Sequence, residues 1–126
     1  MGSVLAVATL PAHVALSASA SHQLAALTLA LIAGIYVGFA LSDGRPRAVI
    51  VEVIVAAVFL GASWVTLSWS PLATAAALAA HGAWDVAHHL RAVSTRMPRW
   101  YVPFCSVFDW VFAAGLTVIT LGRSAT

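Results

Sequence analysis

Four long apolar runs, separated by short polar connections, dominate this sequence; they lie at residues 23–41, 48–67, 71–90 and 103–121. A helix of about 20 apolar residues crosses the hydrocarbon core of a bilayer, with all its backbone groups hydrogen-bonded internally. Hydrophobic residues make up 62% of the chain and charged residues only 8%, so a soluble fold could not cover its core with polar surface. The sequence therefore predicts an all-α integral membrane protein, a four-helix transmembrane bundle that forms one membrane domain over residues 1–126.

Turn-forming residues mark where the predicted spans end. Residues 42–47 combine serine, aspartate, glycine and proline with two arginines, a stretch that no helix would carry into lipid. Ser70 followed by Pro71 is typical of a helix start, because serine accepts from free backbone amides and proline suits the first helical position. The connection at Ser70 is very short, so we expect the helices on either side of it to be antiparallel neighbours.

The first 20 residues form a less regular apolar segment. Residues 4–19 are apolar but short, and Pro11 and His13 interrupt them. The small residues at 18–20 resemble a signal-peptidase site, yet the positive charge that opens a secretory signal is absent. We expect a segment that lies at the interface or is partly inserted. A fifth transmembrane helix and a cleaved signal are the alternatives.

The positive charges indicate an orientation. All six basic residues are arginines, and five of them lie in the connections at 43–47 and 91–99. By the positive-inside rule these two connections are cytoplasmic, and the C-terminus at position 126 lies outside. This placement explains the basic balance of the chain without nucleic acid, so no nucleic-acid partner is predicted.

Carboxyl groups inside the predicted spans are the first functional signal. Glu52, Asp85 and Asp109 lie in three different spans, although a charged aspartate at a helix centre costs about 2.5 to 3.5 kcal/mol. From the helical rise, each lies about 6 to 9 Å from the cytoplasmic end of its span. We therefore expect these groups at a similar depth, on the cytoplasmic side of the membrane.

Histidines add metal-ligand chemistry to the third span. His81, His88 and His89 fall with Asp85 within an arc of about 100° on one helix face. Imidazole and carboxylate together suit zinc or iron. His81, Asp85, His88 and His89 are therefore the candidate ligands of a divalent transition metal.

These residues favour a metal-dependent membrane enzyme, either a hydrolase or an oxidoreductase. Glu52 and Asp109 are the candidate catalytic residues, completing the metal shell or acting as general base on metal-bound water. The substrate would be a membrane lipid or another apolar molecule that enters from the bilayer. Cys105, the single cysteine, shares a face with Asp109 one turn away and is a candidate thiol. We expect all of these side chains to line one cavity open toward the cytoplasm.

Other interpretations of the same residues remain open. Chains of Asp, Glu and His carry protons in membrane proteins, so proton or metal-ion transport, or a role as accessory subunit of a larger complex or homo-oligomer, is the main alternative. Haem binding is less favoured, because the well-placed histidines are on one helix. The polar groups could also serve only as hydrogen-bonded contacts between helices, each contributing about 0.6 kcal/mol.

Overall fold

The computed structural model describes residues 1–93 and 95–125, and over these residues the chain forms five helices and no strands. The helices are α1 Gly2–Ala15, α2 Ala18–Asp43, α3 Pro46–Trp69, α4 Pro71–His89 and α5 Tyr101–Ser124. The all-helical prediction is confirmed. The count of four is not exact, because the apolar N-terminal segment forms α1. Ser94 in the 91–99 connection and Thr126 at the predicted outer end lie outside the described residues.

Three of the described helices, α2, α3 and α5, are long and apolar enough to cross a membrane. These helices are consistent with the predicted membrane protein. The fourth predicted span corresponds to α4, which has 19 residues and is the least apolar of the five helices. α4 contacts α2, α3 and α5, so the buried His81, Asp85 and His88 are enclosed by the apolar helices.

Local sequence signals set the helix ends. Gly44 ends α2 in the left-handed region at φ 74°, a conformation that glycine adopts without steric cost. Ser70 separates α3 from α4, and its side chain accepts a hydrogen bond from the Ala73 amide at 3.2 Å. Pro71 occupies the first turn of α4. The helix start predicted at Ser70 and Pro71 is confirmed.

Hydrogen bonds at both ends of α3 and α4 show that these helices are antiparallel neighbours, as predicted. Thr74 donates to Thr66 at 2.9 Å close to Ser70, and Glu52 pairs with His88 at 2.7 Å near the far ends of the same helices. The end that contains the connections 44–45 and 90–100 is called the loop end below.

α1 packs along α5 and runs in the same direction. Gly2 lies so close to the start of α5 that an added Cβ would be 2.3 Å from the Phe104 carbonyl oxygen. Arg123, near the end of α5, donates to the carbonyls of His13 at 2.6 Å and Leu16 at 2.7 Å. These bonds satisfy carbonyls that the end of a helix leaves unpaired. The start of α1 therefore lies at the loop end and its last turn at the opposite end.

Asp43 joins the two connections at the loop end. Its carboxylate is 2.6 Å from the Arg45 guanidinium and accepts from the backbone amide of Arg96 at 3.1 Å. The hydrogen bonds between Arg45 and Asp43 raise the pKa of the Arg45 guanidinium. The connection between α2 and α3 is thereby held against the connection between α4 and α5.

An apolar layer fills the middle of the bundle. Leu29, Leu78 and Phe112 are each at most 1% exposed and belong to one buried cluster. Along their helices they lie between the polar residues of the loop end and a second polar group at the opposite end. At that opposite end, His22 is hydrogen-bonded to Thr74 at 2.8 Å. The ionisable groups of the loop end are thus separated from the opposite end by packed hydrocarbon.

The helix directions generate a topology prediction. In a background with Cys105 replaced by alanine, a cysteine at position 125 should react with an impermeant maleimide added outside intact cells. A cysteine at position 99, or one fused ahead of Met1, should react only after permeabilisation, because both lie at the arginine-rich loop end. Outside labelling of the cysteine fused ahead of Met1, together with position 125, would contradict the placement of the α1 start at the loop end. Labelling of position 99 from outside would reverse the orientation.

Candidate metal centre

His81 and Asp85 from α4 meet Asp109 from α5 in the interior of the bundle. The His81 Nδ1 atom is 2.7 Å from Asp109 Oδ2 and 3.7 Å from Asp85 Oδ1. One donor atom from each residue lies within 4.8 Å of the other two. His81 is 1% exposed and both aspartates are 0% exposed. This buried His/Asp/Asp group could hold a metal ion.

Close packing of α4 against α5 brings the three residues together. Asp85 follows His81 by four residues, so both project from the same face of α4. Gly82 then lets α5 approach, since an added Cβ would be 2.7 Å from Trp110 Nε1 and 3.2 Å from Asp109 Cβ. Trp110 Nε1 also donates to the backbone carbonyl of residue 79 at 3.1 Å.

Tyr36 of α2 completes the surroundings of this group. Its hydroxyl donates to Asp85 Oδ1, and its ring centroid lies 5.5 Å from that of His81 and 5.0 Å from that of His88. The sequence interpretation did not select Tyr36. The available signal was a tyrosine in the middle of a long apolar span, since a buried phenol usually hydrogen-bonds to a polar group.

Two carboxylate oxygens of the group have no hydrogen-bond partner within the described part of the chain: Asp85 Oδ2 and Asp109 Oδ1. Leaving a buried polar atom unpaired costs about 1 to 3 kcal/mol, and more for a charged group. Two buried carboxylates beside one imidazole cannot all be charged without an excess of negative charge. A divalent cation would accept the free lone pairs and neutralise both carboxylates.

Glu52 and His88 form a second polar group, closer to the loop end. His88 Nε2 is 2.7 Å from Glu52 Oε1, and the Thr95 hydroxyl donates to the same oxygen at 2.6 Å. His88 Nδ1 lies 3.1 Å from the Trp84 carbonyl, an acceptor only, so this nitrogen carries a hydrogen. The contact between His88 and Glu52 therefore requires one shared proton. Thr95 was not among the sequence candidates.

The structure divides the predicted site residues among three places. His81, Asp85 and Asp109 lie in the His/Asp/Asp group, and His88 pairs with Glu52 instead of joining it. His89, two turns from His81, is exposed at the end of α4. The partners of Glu52 and Asp109 depend on how α3 and α5 are rotated about their own axes, and the sequence alone contains no signal for that rotation.

Cys105 is buried in an aromatic cluster with Tyr36 and Tyr101. Instead of one wide cavity, a narrow gap with no room for a water molecule separates the His/Asp/Asp group from Glu52. Glu52, His81 and Tyr36 line this gap, together with Trp84. The two polar groups therefore face each other across packed side chains.

Comparison with protein-family models, curated proteins and solved structures found no match. The role of the chain is therefore inferred from the chemistry of its own residues. The relevant features are a buried donor set on α4 and α5, a shared proton between Glu52 and His88, and the polar connection at the loop end.

The tight approach at Gly82 generates a stability prediction. Gly82→Ala should destabilise the bundle by about 1 to 3 kcal/mol, because the new methyl group overlaps the Trp110 ring and pushes α5 away from α4. Gly61→Ala is the matched control, since a Cβ there meets nothing within 4 Å and the helix gains about 0.5 to 1 kcal/mol from losing a glycine. Thermal unfolding in mild detergent measures both. Equal unfolding temperatures for the two variants would contradict the packing described here.

Proposed function

We propose that this chain is a metal-dependent membrane enzyme whose centre is the His/Asp/Asp group. In this proposal His81, Asp85 and Asp109 ligate a divalent transition metal, zinc or iron. The observation that supports it is a fully buried donor set in which two carboxylate oxygens lack partners among the described residues. Asp109, a catalytic candidate in the sequence, is thereby assigned to the metal.

The donor chemistry favours a catalytic ion over a structural one. Structural zinc sites are closed by four protein ligands, whereas catalytic sites have three protein ligands and an open position. Donor atoms around a tetrahedral zinc are about 3.3 Å apart for bonds of about 2.0 to 2.1 Å. The separations of 2.7 and 3.7 Å from His81 Nδ1 lie on either side of that value. Small side-chain shifts would admit the ion.

Glu52 is the proposed general base. Its Oε2 atom has no hydrogen-bond partner among the described residues, and Glu52 lines the same gap as His81. His88 shares a proton with the other carboxylate oxygen, Oε1. When Glu52 takes up a proton from the reaction, His88 can release one toward the loop end. The gap is closed to water, so the side chains that line it would have to move apart before a bound ion could polarise a substrate carbonyl or phosphoryl group or acidify a water. The proposed substrate is a lipid or another apolar molecule.

Proton or metal-ion transport is the second candidate. The imidazole–carboxylate pairs His88–Glu52 and His81–Asp109 follow one another inward from the loop end, an order suited to proton transfer. The apolar layer at Leu29 interrupts any such path before the opposite end. A haem site is disfavoured, since His81 and His88 both project from α4 and each is paired with a carboxylate.

Metal content tests the proposed ligands. Protein purified in mild detergent should contain roughly one zinc or iron per chain, and Asp85→Asn or Asp109→Asn should lose it, because an amide lacks the charge that the ion requires. His81→Ala should lose it as well. Glu52→Gln is the matched control and should keep the metal, since Glu52 is outside the ligand set. Full metal content in both aspartate variants, measured by elemental analysis, would eliminate this centre.

Lipid turnover tests the enzymatic role. Metal-loaded protein incubated with total membrane lipid should generate products that mass spectrometry detects, and chelation should abolish them. Glu52→Gln should retain metal and lose at least 100-fold in rate, a loss within the range for a general base. Metal-dependent ion uptake into vesicles, without lipid products, would favour the transport candidate instead.

A further inference from the structure

A basic pocket opens at the loop end, between the end of α4, the 91–99 connection and the start of α5. Its volume is about 570 Å³, which falls within the range of small-molecule sites. The side chains that give it its character are His89, Arg91, Thr95, Arg96, Met97 and Arg99. This pocket is separate from the buried metal centre and is called the arginine pocket below.

The charge of the arginine pocket is strongly positive. Three of the six arginines of the chain line it, and none of its lining residues in the described part of the chain is acidic. Of these three guanidinium groups, Asp43 forms an ion pair with that of Arg96 alone, at 3.9 Å, and its closer partner is Arg45 at 2.6 Å. Among the described residues, no carboxylate forms an ion pair with Arg91 or Arg99. The pocket therefore has unbalanced guanidinium groups that suit a bound anion.

The shape of the arginine pocket indicates an amphiphilic anion. Met97, Pro98 and Val102 give it an apolar wall beside the arginines. Trp100, the residue before α5, is 66% exposed at the same end, as is typical of aromatic side chains at the headgroup level. Basic pockets between membrane helices on the cytoplasmic side bind lipid headgroups, and guanidinium forks match phosphate oxygens. We propose that the arginine pocket binds the phosphate-bearing headgroup of an anionic membrane lipid.

The pocket floor connects this site to the interior. His88 and Thr95 line the arginine pocket, and both are hydrogen-bonded to Glu52 Oε1. A phosphate seated among the arginines would therefore lie above the Glu52–His88 pair. Lipid binding itself does not depend on the metal, so this proposal can fail or succeed separately from the proposed enzymatic function.

The backbone at Arg91 offers a clean variant. Arg91 adopts φ 59°, the left-handed region that favours glycine. Arg91→Gly thus removes one charge from the pocket while relieving the backbone. Arg99→Gln removes another charge from an exposed side chain and leaves the helices intact. Arg47→Gln, at an exposed position of the same end but outside this pocket, controls for general electrostatic attraction.

Native mass spectrometry of the full chain in detergent, with chelator present, tests the proposal. Titration with short-chain phosphatidylglycerol should give one retained lipid per chain, and titration with phosphatidylcholine should give much weaker binding. Arg91→Gly and Arg99→Gln should each weaken phosphatidylglycerol binding about fivefold, and the double variant about 25-fold, from the usual contribution of one arginine near an anionic headgroup. Arg47→Gln should bind like the unmodified chain.

Three results would overturn the proposal. If Arg47→Gln and Arg99→Gln weakened phosphatidylglycerol binding equally, the lipid would be held by general charge attraction and not by this pocket. Equal affinity for phosphatidylcholine would remove the anionic requirement. Inorganic phosphate that displaces the lipid at equal concentration would identify a free-phosphate site and exclude the lipid headgroup. If Arg91→Gly fails to fold, as judged by circular dichroism, Arg99→Gln alone decides.

Discussion

The energetic penalty for placing ionisable side chains in a bundle interior organises this structure. α4 carries His81, Asp85 and His88 into the interior, and each needs a partner because water is excluded. The neighbouring helices supply one group each, Tyr36 from α2, Glu52 from α3 and Asp109 from α5. The central position of α4 thus follows from its polarity. The more apolar helices surround it and can face lipid.

The positions of the helices along the chain were easier to predict from the sequence than the direction in which each helix face points. Apolar length and the Ser70 start predicted α3 and α4 to within two residues at each end, since these signals are local. The partners of Glu52 and Asp109 depend on the rotation of each helix about its own axis. An estimate of depth along the helix gives no information about that rotation. Glu52 lies closer to the loop end than the His/Asp/Asp group, where it meets His88. The closeness of α4 to α5 depends on Gly82, whose role appears only once Trp110 is opposite it.

The acidic side chains of the chain all lie in the half of the bundle nearer the loop end. The His/Asp/Asp group, the Glu52–His88 pair and the arginine pocket succeed one another from the interior to the loop end, while Leu29, Leu78 and Phe112 close the other direction. Such an arrangement suits a site that exchanges protons and ligands with one side of the membrane. α1 packs mainly along α5, and it adds Ala6 and His13 to the buried interior.

The central claim is that one imidazole and two carboxylates hold a metal ion. X-ray absorption at the metal edge of the zinc- or iron-loaded protein tests it most directly. We expect a shell of nitrogen and oxygen donors at about 2.0 to 2.2 Å, with the outer-shell signal of a single imidazole. A sulfur donor at about 2.3 Å would place the ion at Cys105, and the signal of two or more imidazoles would place it elsewhere on α4. Either result would contradict the assignment.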